Sequence, residues 1–353
     1  MRATMATSAG ILPFVSVVTS VRNEERTISK LLDSLLAQDY PKDRYEILVV
    51  DAVSTDRTAE IVKEYEARSS NPPVRLLVRP GPDVAGGRNR GVREAKGEFV
   101  YITDGDMVVG ANVLRDMVAV FTKDPTIGGV GGPNESESQD LVSRTIACFP
   151  VHGPSRGIVP LLGAHPYDAP FVSSTNIYAS VCRNAMFRKS AMEAVGLFDE
   201  SLIATEDPEF NARLLDAGYR IAYVPEAAVR HHHRTSLTSF LYQQGRYAYW
   251  QAVVNRKHPR MRSPRQWLPA LALHGAIVFA IAAVAAPALR FPFFAAVVLA
   301  LLGPLVYGLK CAVAKRDPAL AASAPVFFLA WMLGWAVEYP LGALGLPGGR
   351  RGR

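Results

Sequence analysis

Residues 266–345 constrain the fold of this chain more than any other part of the sequence, because they are almost free of charge. Three stretches there reach about 20 residues, the length that a helix needs to cross the hydrocarbon core of a bilayer. They run from about Gln266 to Ala286, from Phe293 to Val313 and from Ala319 to Tyr339. Buried helices of a large globular domain are the alternative, but three such stretches in a row leave hardly any polar face. The sequence therefore predicts a membrane region with about three transmembrane helices at 266–345.

Basic residues flank this region. Part of the net charge of +7 lies in RKHPRMRSPR, residues 256–265, directly before the first apolar stretch. A nucleic-acid surface is one interpretation, but a juxtamembrane segment beside anionic lipid headgroups fits the position better. We therefore expect membrane lipids, and no nucleic acid, among the partners.

The positive-inside rule leaves the third stretch undecided. Lys310, Lys315 and Arg316 fall on the same side as residues 256–265 if the first two helices form a hairpin. The final GGRRGR then falls on the other side, against the rule. Either the third stretch does not fully cross the bilayer, or the tail is an exception.

Residues 1–255 have the composition of a soluble domain. The apolar stretch 11–21 is short, β-branched and followed at once by charge, so we interpret it as a strand and not as a signal peptide. The three cysteines, Cys148, Cys182 and Cys311, are odd in number and form no cluster with metal-ligand spacing, which fits a reducing compartment. We expect a multi-pass protein of the cell membrane with a cytoplasmic domain at 1–255.

Strand and helix patterns alternate along this domain. Apolar strands are predicted at 14–20, 45–51, 74–78 and 98–103, with helical patterns at 28–36 and near 61–65 and a glycine-rich turn with a short helix within 81–97. A helix at 206–218 and a strand at 219–225 follow. Such alternation is typical of a mostly parallel sheet with helices on its faces. Ligands of such sheets bind beyond the carboxyl ends of the strands.

Acidic residues stand at two of these strand ends. Asp51 ends the second strand, and Asp104 and Asp106 flank a glycine at the end of the fourth. Neighbouring carboxylates oppose each other's ionisation, and a hard cation such as Mg²⁺ or Mn²⁺ would offset that repulsion while also binding substrate phosphates. A solvated turn is the alternative for an isolated Asp-x-Asp triplet. The sequence has no P-loop and no clean G-x-G-x-x-G after the first strand, which disfavours those nucleotide-binding classes.

Five stretches in a fixed order resemble the motifs of family 2 glycosyltransferases. They are VVTSVRNEE, ILVVDAVSTDRT, GGRNRGVREAKGEFVYITDGDMV, TEDPEFNARLLDAGYRI and QQGRY, and the resemblance covers about residues 13–250. It implies an inverting enzyme with the GT-A fold, an α/β domain with a Rossmann-like, mostly parallel sheet, followed here by the α-helical transmembrane region. It also implies a nucleotide-diphosphate sugar as donor and Mg²⁺ or Mn²⁺ as cofactor.

The resemblance also implies roles for single residues at the matching motif positions. The implied nucleotide-binding residues are Thr19, Val21, Glu24 or Glu25, Asp51, Arg88 and Asn89. The implied metal and sugar residues are Asp106, as metal ligand, and Asp104, beside the ribose or sugar and near the metal. The implied catalytic residues are Asp207 as general base and Glu206 beside it, and Gln243, Arg246 and Tyr247, where tyrosine replaces the usual tryptophan, are implied to hold the acceptor or the diphosphate leaving group. Ala52 and Val53 depart from the acid and glycine that are common in the family, which leaves the nucleotide open.

Two of these assignments can also be argued from chemistry. Inverting transfer needs one base opposite the leaving diphosphate. A carboxylate such as Asp207 in the first turn of a helix stays ionised and could be that base. The alternative is that Glu206 and Asp207 only cap the helix.

In RHHHR, residues 230–234, His231 and His233 would share one face of a strand. A solvated loop and a metal ligand are both open there, with His233 as the candidate ligand beside Asp106.

The sequence thus predicts a glycosyltransferase that acts on a hydroxyl of a lipid-linked saccharide or surface polysaccharide at the cytoplasmic face of the membrane. The alternative enzyme is a polyprenyl-phosphate glycosyltransferase, whose anionic acceptor needs no base. An inactive membrane scaffold and a basic nucleic-acid binder are rivals from other classes; the retained acids and the position of the basic segment disfavour them. Three membrane stretches, all after the domain, favour transfer of one sugar over processive synthesis, and the oligomeric state is left open.

Overall fold

The computed structural model describes residues 12–81, 83–136, 140–146, 184–231 and 236–349. The strands are β1 Val15–Val21, β2 Tyr45–Asp51, β3 Val74–Val78, β4 Phe99–Asp104, β5 Met107–Val109, β6 Ile127–Gly131, β7 Asn134–Ser136, β8 Ala185–Arg188, β9 Arg220–Tyr223 and β10 Val229–His231. The helices are α1 Ile28–Leu36, α2 Thr58–Arg68, α3 Val84–Glu94, α4 Val113–Phe121, α5 Leu141–Ile146, α6 Lys189–Val195, α7 Glu206–Asp216, α8 Leu237–Lys257, α9 Leu268–Ala285, α10 Arg290–Lys315 and α11 Leu320–Leu344.

The main sheet has seven strands in the order β3-β2-β1-β4-β8-β6-β9. β1 lies parallel between β2 and β4, and only β8 runs antiparallel to its neighbours. The prediction of a mostly parallel α/β sheet is therefore confirmed. The register sets Val21 beside Asp51 and Ser20 beside Asp104, so the acidic ends of β2 and β4 flank the end of β1.

The central strands are buried on both faces, which explains their continuous β-branched sequences. One face of β1 and β2 packs against the apolar stripe of α1, made of Ile28, Leu31, Leu32 and Leu35. The other face packs Val18 and Leu48 with residues of α3, α6 and α7, including Phe210 and Leu214. These two layers fix the strand ends at which the acids stand.

A second, three-stranded sheet has the order β5-β10-β7. β5 begins directly after Asp106, and its Met107 pairs with His231 of β10 in an antiparallel ladder. This pairing brings the chain segment that leads into the histidine motif alongside the Asp104-Gly105-Asp106 turn.

Close packing of α3 on β1 depends on two glycines. A Cβ at Gly87 would lie 2.0 Å from Ser20 Oγ, and one at Gly91 would lie 2.3 Å from Val18 Cγ1. Since no side chain fits at either position, the helix axis lies unusually near the strand. Arg88, which follows the first of these glycines, is thereby held over the carboxyl ends of β1 and β4.

The C-terminal region forms three helices that are long and apolar enough to cross a membrane, Pro264–Ala285, Pro287–Lys315 and Leu320–Leu344, each of which includes or equals one of α9 to α11. This confirms the three apolar helices predicted from the sequence. The third helix continues past Tyr339, where the apolar pattern was predicted to end, and runs through Pro340 to Leu344. Gly345, with a φ of 72°, ends it in the left-handed conformation that glycine adopts without strain.

Candidate active site

Arg88 is the centre of a buried ion-pair cluster. Its Nη1 donates to Glu206 Oε1 at 3.0 Å and to Asp207 Oδ1 at 2.6 Å, and its Nη2 donates to Asp104 Oδ1 at 2.9 Å. The arginine side chain is only 2% exposed. One guanidinium therefore joins the end of β4 to the first turn of α7, two elements about 100 residues apart in the sequence.

The charge balance of this cluster favours the guanidinium cation. Burial by itself would lower the pKa of Arg88, but the carboxylates of Asp207, Asp104 and Glu206 outweigh burial, and the pKa lies above its ordinary value. One guanidinium thus contacts three carboxylates. An arginine in such a place acts as a fixed positive charge that orients several acids at once.

Glu24 adds a further carboxylate on the other side of the Asp104-Gly105-Asp106 turn. Its Cγ lies 3.1 Å from the position that a Cβ on Gly105 would take. Burial raises the pKa of Glu24, the Thr27 hydroxyl that donates to it at 2.7 Å lowers it, and the charges of Asp106 and Asp104 raise it further. The net direction is upward. The carboxyl groups of Glu24, Asp104 and Asp106 thus surround this turn as an acidic pocket, in which the charges of Asp104 and Asp106 disfavour the ionisation of Glu24.

The loops after β1 and β2 are tied together at the sheet edge. Asp51 is 3% exposed, and its carboxylate accepts from the backbone N–H of Ser54 at 3.0 Å and from the Ser54 hydroxyl. Asn23 Oδ1 accepts from the N–H of Thr55 at 2.8 Å. Asp51 therefore shapes the loop 51–54 at the position where the sequence predicts a base contact.

Two β-branched residues beside the candidate site adopt left-handed backbone conformations. Val53 has a φ of 58° and Thr205, directly before Glu206, has a φ of 64°. Such conformations cost roughly 1–3 kcal/mol at residues other than glycine and concentrate at functional sites. Val53 occupies the position at which the sequence departs from the glycine common in the family.

The structure places Thr19 and Asn89 inside the domain. Thr19 is fully buried in β1, with no hydrogen-bond partner for its hydroxyl in the part of the chain that the structure describes. The Asn89 amide accepts from Phe198 N at 3.0 Å and donates to Phe198 O and Glu200 Oε1, both at 2.9 Å. Asn89 thus fixes the loop at 198–200, a role that the sequence did not indicate.

Gln243, Arg246 and Tyr247 lie on α8, where Gln243 Nε2 donates to the Tyr247 hydroxyl at 3.0 Å. Val21 ends β1 beside Asp51 and also lies against Gly105, 2.8 Å from the position of an added Cβ. His233, the candidate histidine ligand, lies outside the described residues, as do Cys148 and Cys182. Cys311 is buried on α10.

The sequence indicated the separate acids but not their common partner. Asp51, Asp104, Asp106 and Asp207 stand at strand or helix ends where the alternating pattern predicted a crevice, and the structure joins Asp104 and Asp207 through Arg88. Arg88 was expected near the nucleotide. The signal that could have shown its second role is the pair of glycines around it, Gly87 and Gly91, spaced by one helical turn as in a close helix–strand approach.

Comparison with known proteins identifies related sequences. The family profile described as glycosyl transferase family 2 matches residues 16–196. A dolichyl N-acetyl-α-D-glucosaminyl phosphate 3-β-D-2,3-diacetamido-2,3-dideoxy-β-D-glucuronosyltransferase of Methanococcus voltae is 26% identical, over 69% of this chain and 74% of that protein. Glycosyltransferase AglE of Haloferax volcanii is 30% identical, over 60% of this chain and 64% of its own length. A poly-β-1,6-N-acetyl-D-glucosamine synthase of Staphylococcus epidermidis is 30% identical over 60% of this chain, which spans about half (48%) of that enzyme.

Solved structures share the fold at lower identity. A mannosyltransferase, PcManGT from Pyrobaculum calidifontis in complex with GDP-Man and Mn²⁺, aligns with a TM-score of 0.58 at 22% identity, over 94% of this chain and 88% of that one. TarS 1-349 of S. aureus in complex with UDP-GlcNAc aligns with a TM-score of 0.50 at 18% identity, over 94% and 92% of the two chains. The profile covers half of the sequence and the fold agrees with it; the chain belongs to glycosyl transferase family 2.

Proposed function

We propose that this protein transfers a sugar, with inversion, from a nucleotide-diphosphate sugar to a hydroxyl of a lipid-linked saccharide or surface polysaccharide at the cytoplasmic membrane face. The observation that carries the proposal is the Arg88 cluster. It holds Asp104, the donor-side acid, and Asp207, the candidate base, on one guanidinium. Donor and acceptor would therefore meet in a single crevice at the ends of β1 and β4.

The chemistry needs one base and one stabilised leaving group. The acceptor oxygen attacks the anomeric carbon, the bond from that carbon to the diphosphate oxygen breaks, and the nucleoside diphosphate leaves. Asp207 receives the proton of the acceptor hydroxyl. Arg88 orients Asp207 through its hydrogen bond of 2.6 Å.

The acidic pocket suits a hard divalent cation. Asp106, Asp104 and Glu24 interact through their charges around one turn, and their mutual repulsion is relieved by a cation. Among the described residues, no group of three or more side chains forms a complete metal site. Asp106, together with diphosphate oxygens of the donor, would hold Mg²⁺ or Mn²⁺. When bound, such an ion stabilises the charge of the leaving diphosphate.

The acceptor is proposed from the membrane region and the relatives. Three apolar helices directly follow the domain, so an acceptor carried by a lipid would reach the site without leaving the membrane. The Methanococcus relative is named for transfer to a dolichyl-linked aminosugar, and the Staphylococcus relative for synthesis of a polysaccharide. The basic segment at 256–265 before the first helix supports a cytoplasmic domain.

Replacement of the base tests the proposal. Asp207→Asn is expected to lower kcat by about 10²–10⁴-fold with a hydroxyl acceptor, because the amide cannot accept the proton of the acceptor hydroxyl. Thermal shifts by nucleotide diphosphates with Mn²⁺ should be kept, since the donor side is intact. Transfer would be measured with radiolabelled nucleotide sugars and membrane-lipid acceptors.

Glu206→Gln is the matched control, because it removes a carboxylate charge from the same guanidinium. Its loss of kcat should be at least tenfold smaller than that of Asp207→Asn. A modest loss in Asp207→Asn would instead favour a polyprenyl phosphate acceptor, and equal losses in both variants would mean that the two acids only position Arg88.

A further inference from the structure

The apolar helix α11 lies along α8 for most of its length. The Phe240 and Phe327 rings are 5.1 Å apart. Further along, a Cβ on Gly334 would lie 2.9 Å from Gly245 N, and one on Gly342 would lie 2.4 Å from Tyr249 O. The contacts advance in the same direction on both helices, so the helices run parallel. At 1.5 Å per residue, the stretch from Phe327 to Gly342 is about 22 Å long.

The partner helix is not a membrane helix. α8 follows β10 after a short segment and carries polar residues throughout, including Gln243, Gln244, Arg246, Gln251 and Asn255. A charged or strongly polar helix surface is costly at the bilayer centre. If α11 crossed the bilayer, it would carry α8 into the hydrocarbon with it.

Both ends of α11 also contact the catalytic domain or the residues that lead out of it. Just before the helix, Asp317 pairs with Arg144 of α5 at 3.2 Å, and Ser323 shares a hydrogen bond of 2.8 Å with Thr145. At the far end, the Asn255 amide donates to the Tyr339 hydroxyl at 2.9 Å. A helix that crosses the bilayer must separate its ends by about 30 Å of hydrocarbon. Domain contacts at both ends do not fit such a separation.

The remaining face of α11 is an exposed apolar stripe. Its members recur every three or four residues, and between 44% and 48% of each is exposed: Val326, Leu329, Leu333 and Val337. The first part of α11 also packs against α10, where Tyr307 and Cys311 contact Leu320 and Ala324. Because another face of α11 packs against the polar helix α8, this stripe is the surface that α11 offers to lipid acyl chains.

We infer that α9 and α10 cross the membrane, whereas α11 lies in its plane with the stripe 326–337 in contact with lipid acyl chains. The arrangement puts the GGRRGR tail on the same side as the domain, as the positive-inside rule requires. It also accounts for Glu338, which is costly inside a crossing helix. Its carboxylate instead accepts from Gly349 N at 2.9 Å, and its Cγ lies against Gly245 of α8. The inference goes beyond the proposed reaction and does not depend on it.

The side of the membrane on which the GGRRGR tail lies tests the inference. In a full-length background in which Cys148, Cys182 and Cys311 are replaced, single cysteines are introduced as Lys315→Cys, Ala288→Cys and Arg351→Cys. Sealed vesicles are then treated with a membrane-impermeant maleimide. We expect Arg351→Cys to label from the same side as Lys315→Cys and from the opposite side to Ala288→Cys. Labelling of Arg351→Cys together with Ala288→Cys would overturn the inference.

The depth of the stripe 326–337 in the bilayer is an independent test of the inference. A fluorophore is attached to Val326→Cys, Leu333→Cys or Val337→Cys, and lipids brominated at different acyl positions serve as quenchers. An in-plane helix predicts the same shallow depth at all three sites. A crossing helix predicts deepest quenching at Leu333→Cys, and a stripe covered by a second copy of the chain predicts no quenching at any depth. Either of the last two results would refute the inference.

Discussion

At the scale of single residues, the 104–106 turn affects both the contacts of Arg88 and the titration of Glu24. The positive charge of Arg88 stabilises the carboxylates of Asp104, Glu206 and Asp207. Glu24 lies on the other side of the 104–106 turn. Its pKa is raised mainly by burial and further by the negative charges of Asp106 and Asp104. The folded protein therefore binds a proton at Glu24 more readily than the unfolded chain does. This contribution to stability is complete below the ordinary pKa of 4.5 and is lost as pH rises through the raised value.

We therefore expect Glu24→Gln to raise Tm at pH 8 by a few degrees, about 2–4 °C for each kcal/mol of repulsion removed. The gain should shrink towards zero as pH falls below about 4.5, where wild-type Glu24 is protonated as well. Saturating Mn²⁺ should also reduce it, because a cation relieves the same repulsion. Thermal melts of the detergent-solubilised protein across pH would measure this, with the exposed neighbour Glu25→Gln as control. A gain that does not vary with pH would show that the charge of Glu24 is not its cause.

Residue identities could be read from the sequence better than residue partners. The motif order singled out Asp104, Asp106 and Asp207, because carboxylates at strand and helix ends are visible in the sequence itself. The Arg88 bridge was not visible, since it joins positions more than 100 residues apart. Nor was the use of Asn89 to hold Phe198, because an amide in a motif carries no sign of which way it points.

At the scale of elements, the strands with a clear apolar pattern were predictable, and three of the shortest were not. β1 to β4 lie within about one residue of their predicted bounds, and β9 lies within the predicted strand 219–225. β5, β7 and β8 span three or four residues, too few for a periodic pattern. β8 also inserts antiparallel between β4 and β6, an arrangement set by tertiary pairing and not by local sequence.

The position of α3 is the element-level feature on which the Arg88 cluster depends. Gly87→Ala would place a methyl group 2.0 Å from Ser20 Oγ and 2.8 Å from Ser20 Cβ. The helix must move outward, which we expect to cost about 1–3 kcal/mol of unfolding free energy and to lower kcat by at least tenfold, because Arg88 moves with it. The double variant Gly87→Ala/Ser20→Gly removes the obstructing side chain and should recover part of both losses. Additive losses in the double variant would contradict this steric explanation.

At the scale of the whole molecule, side chains of residues 257–260, at the end of α8 and just after it, form ion pairs with α7 and the loop before it. Lys257 pairs with Asp199, His258 with Glu209 at 2.9 Å, and Arg260 with Asp216 at 2.6 Å. The segment 256–265 is predicted to face lipid headgroups, and three of its side chains also contact α7 and the loop before it. Sequence alone could not show this, since the partners lie 44–58 residues earlier. The segment therefore fixes α7, which carries Asp207, relative to the membrane helices.

The contact of α8 with α11 is the other whole-molecule link, and Gly245 lies against Gly334 at one of its close approaches. A Cβ at Gly334 would lie 2.9 Å from Gly245 N and 3.3 Å from Gly245 Cα, where backbone cannot yield as a flexible side chain can. Gly334→Ala must therefore separate the helices and shift Gln243, Arg246 and Tyr247 on α8. We expect Tm to fall by about 2–8 °C and transfer activity to fall at least tenfold.

Gly303→Ala on α10 is the matched control, because a Cβ there meets nothing within 4 Å. It makes the same substitution in another apolar helix and should leave both Tm and transfer activity at the wild-type level. Thermal shifts by nucleotide diphosphates separate two causes of lost activity: a weaker shift would mean that the Gln243-Arg246-Tyr247 element acts on the diphosphate, and an unchanged shift that it acts on the acceptor. If Gly334→Ala lowers Tm but transfers sugar at the wild-type rate, contact with α11 supports the fold of α8 without setting the geometry of its Gln243-Arg246-Tyr247 element.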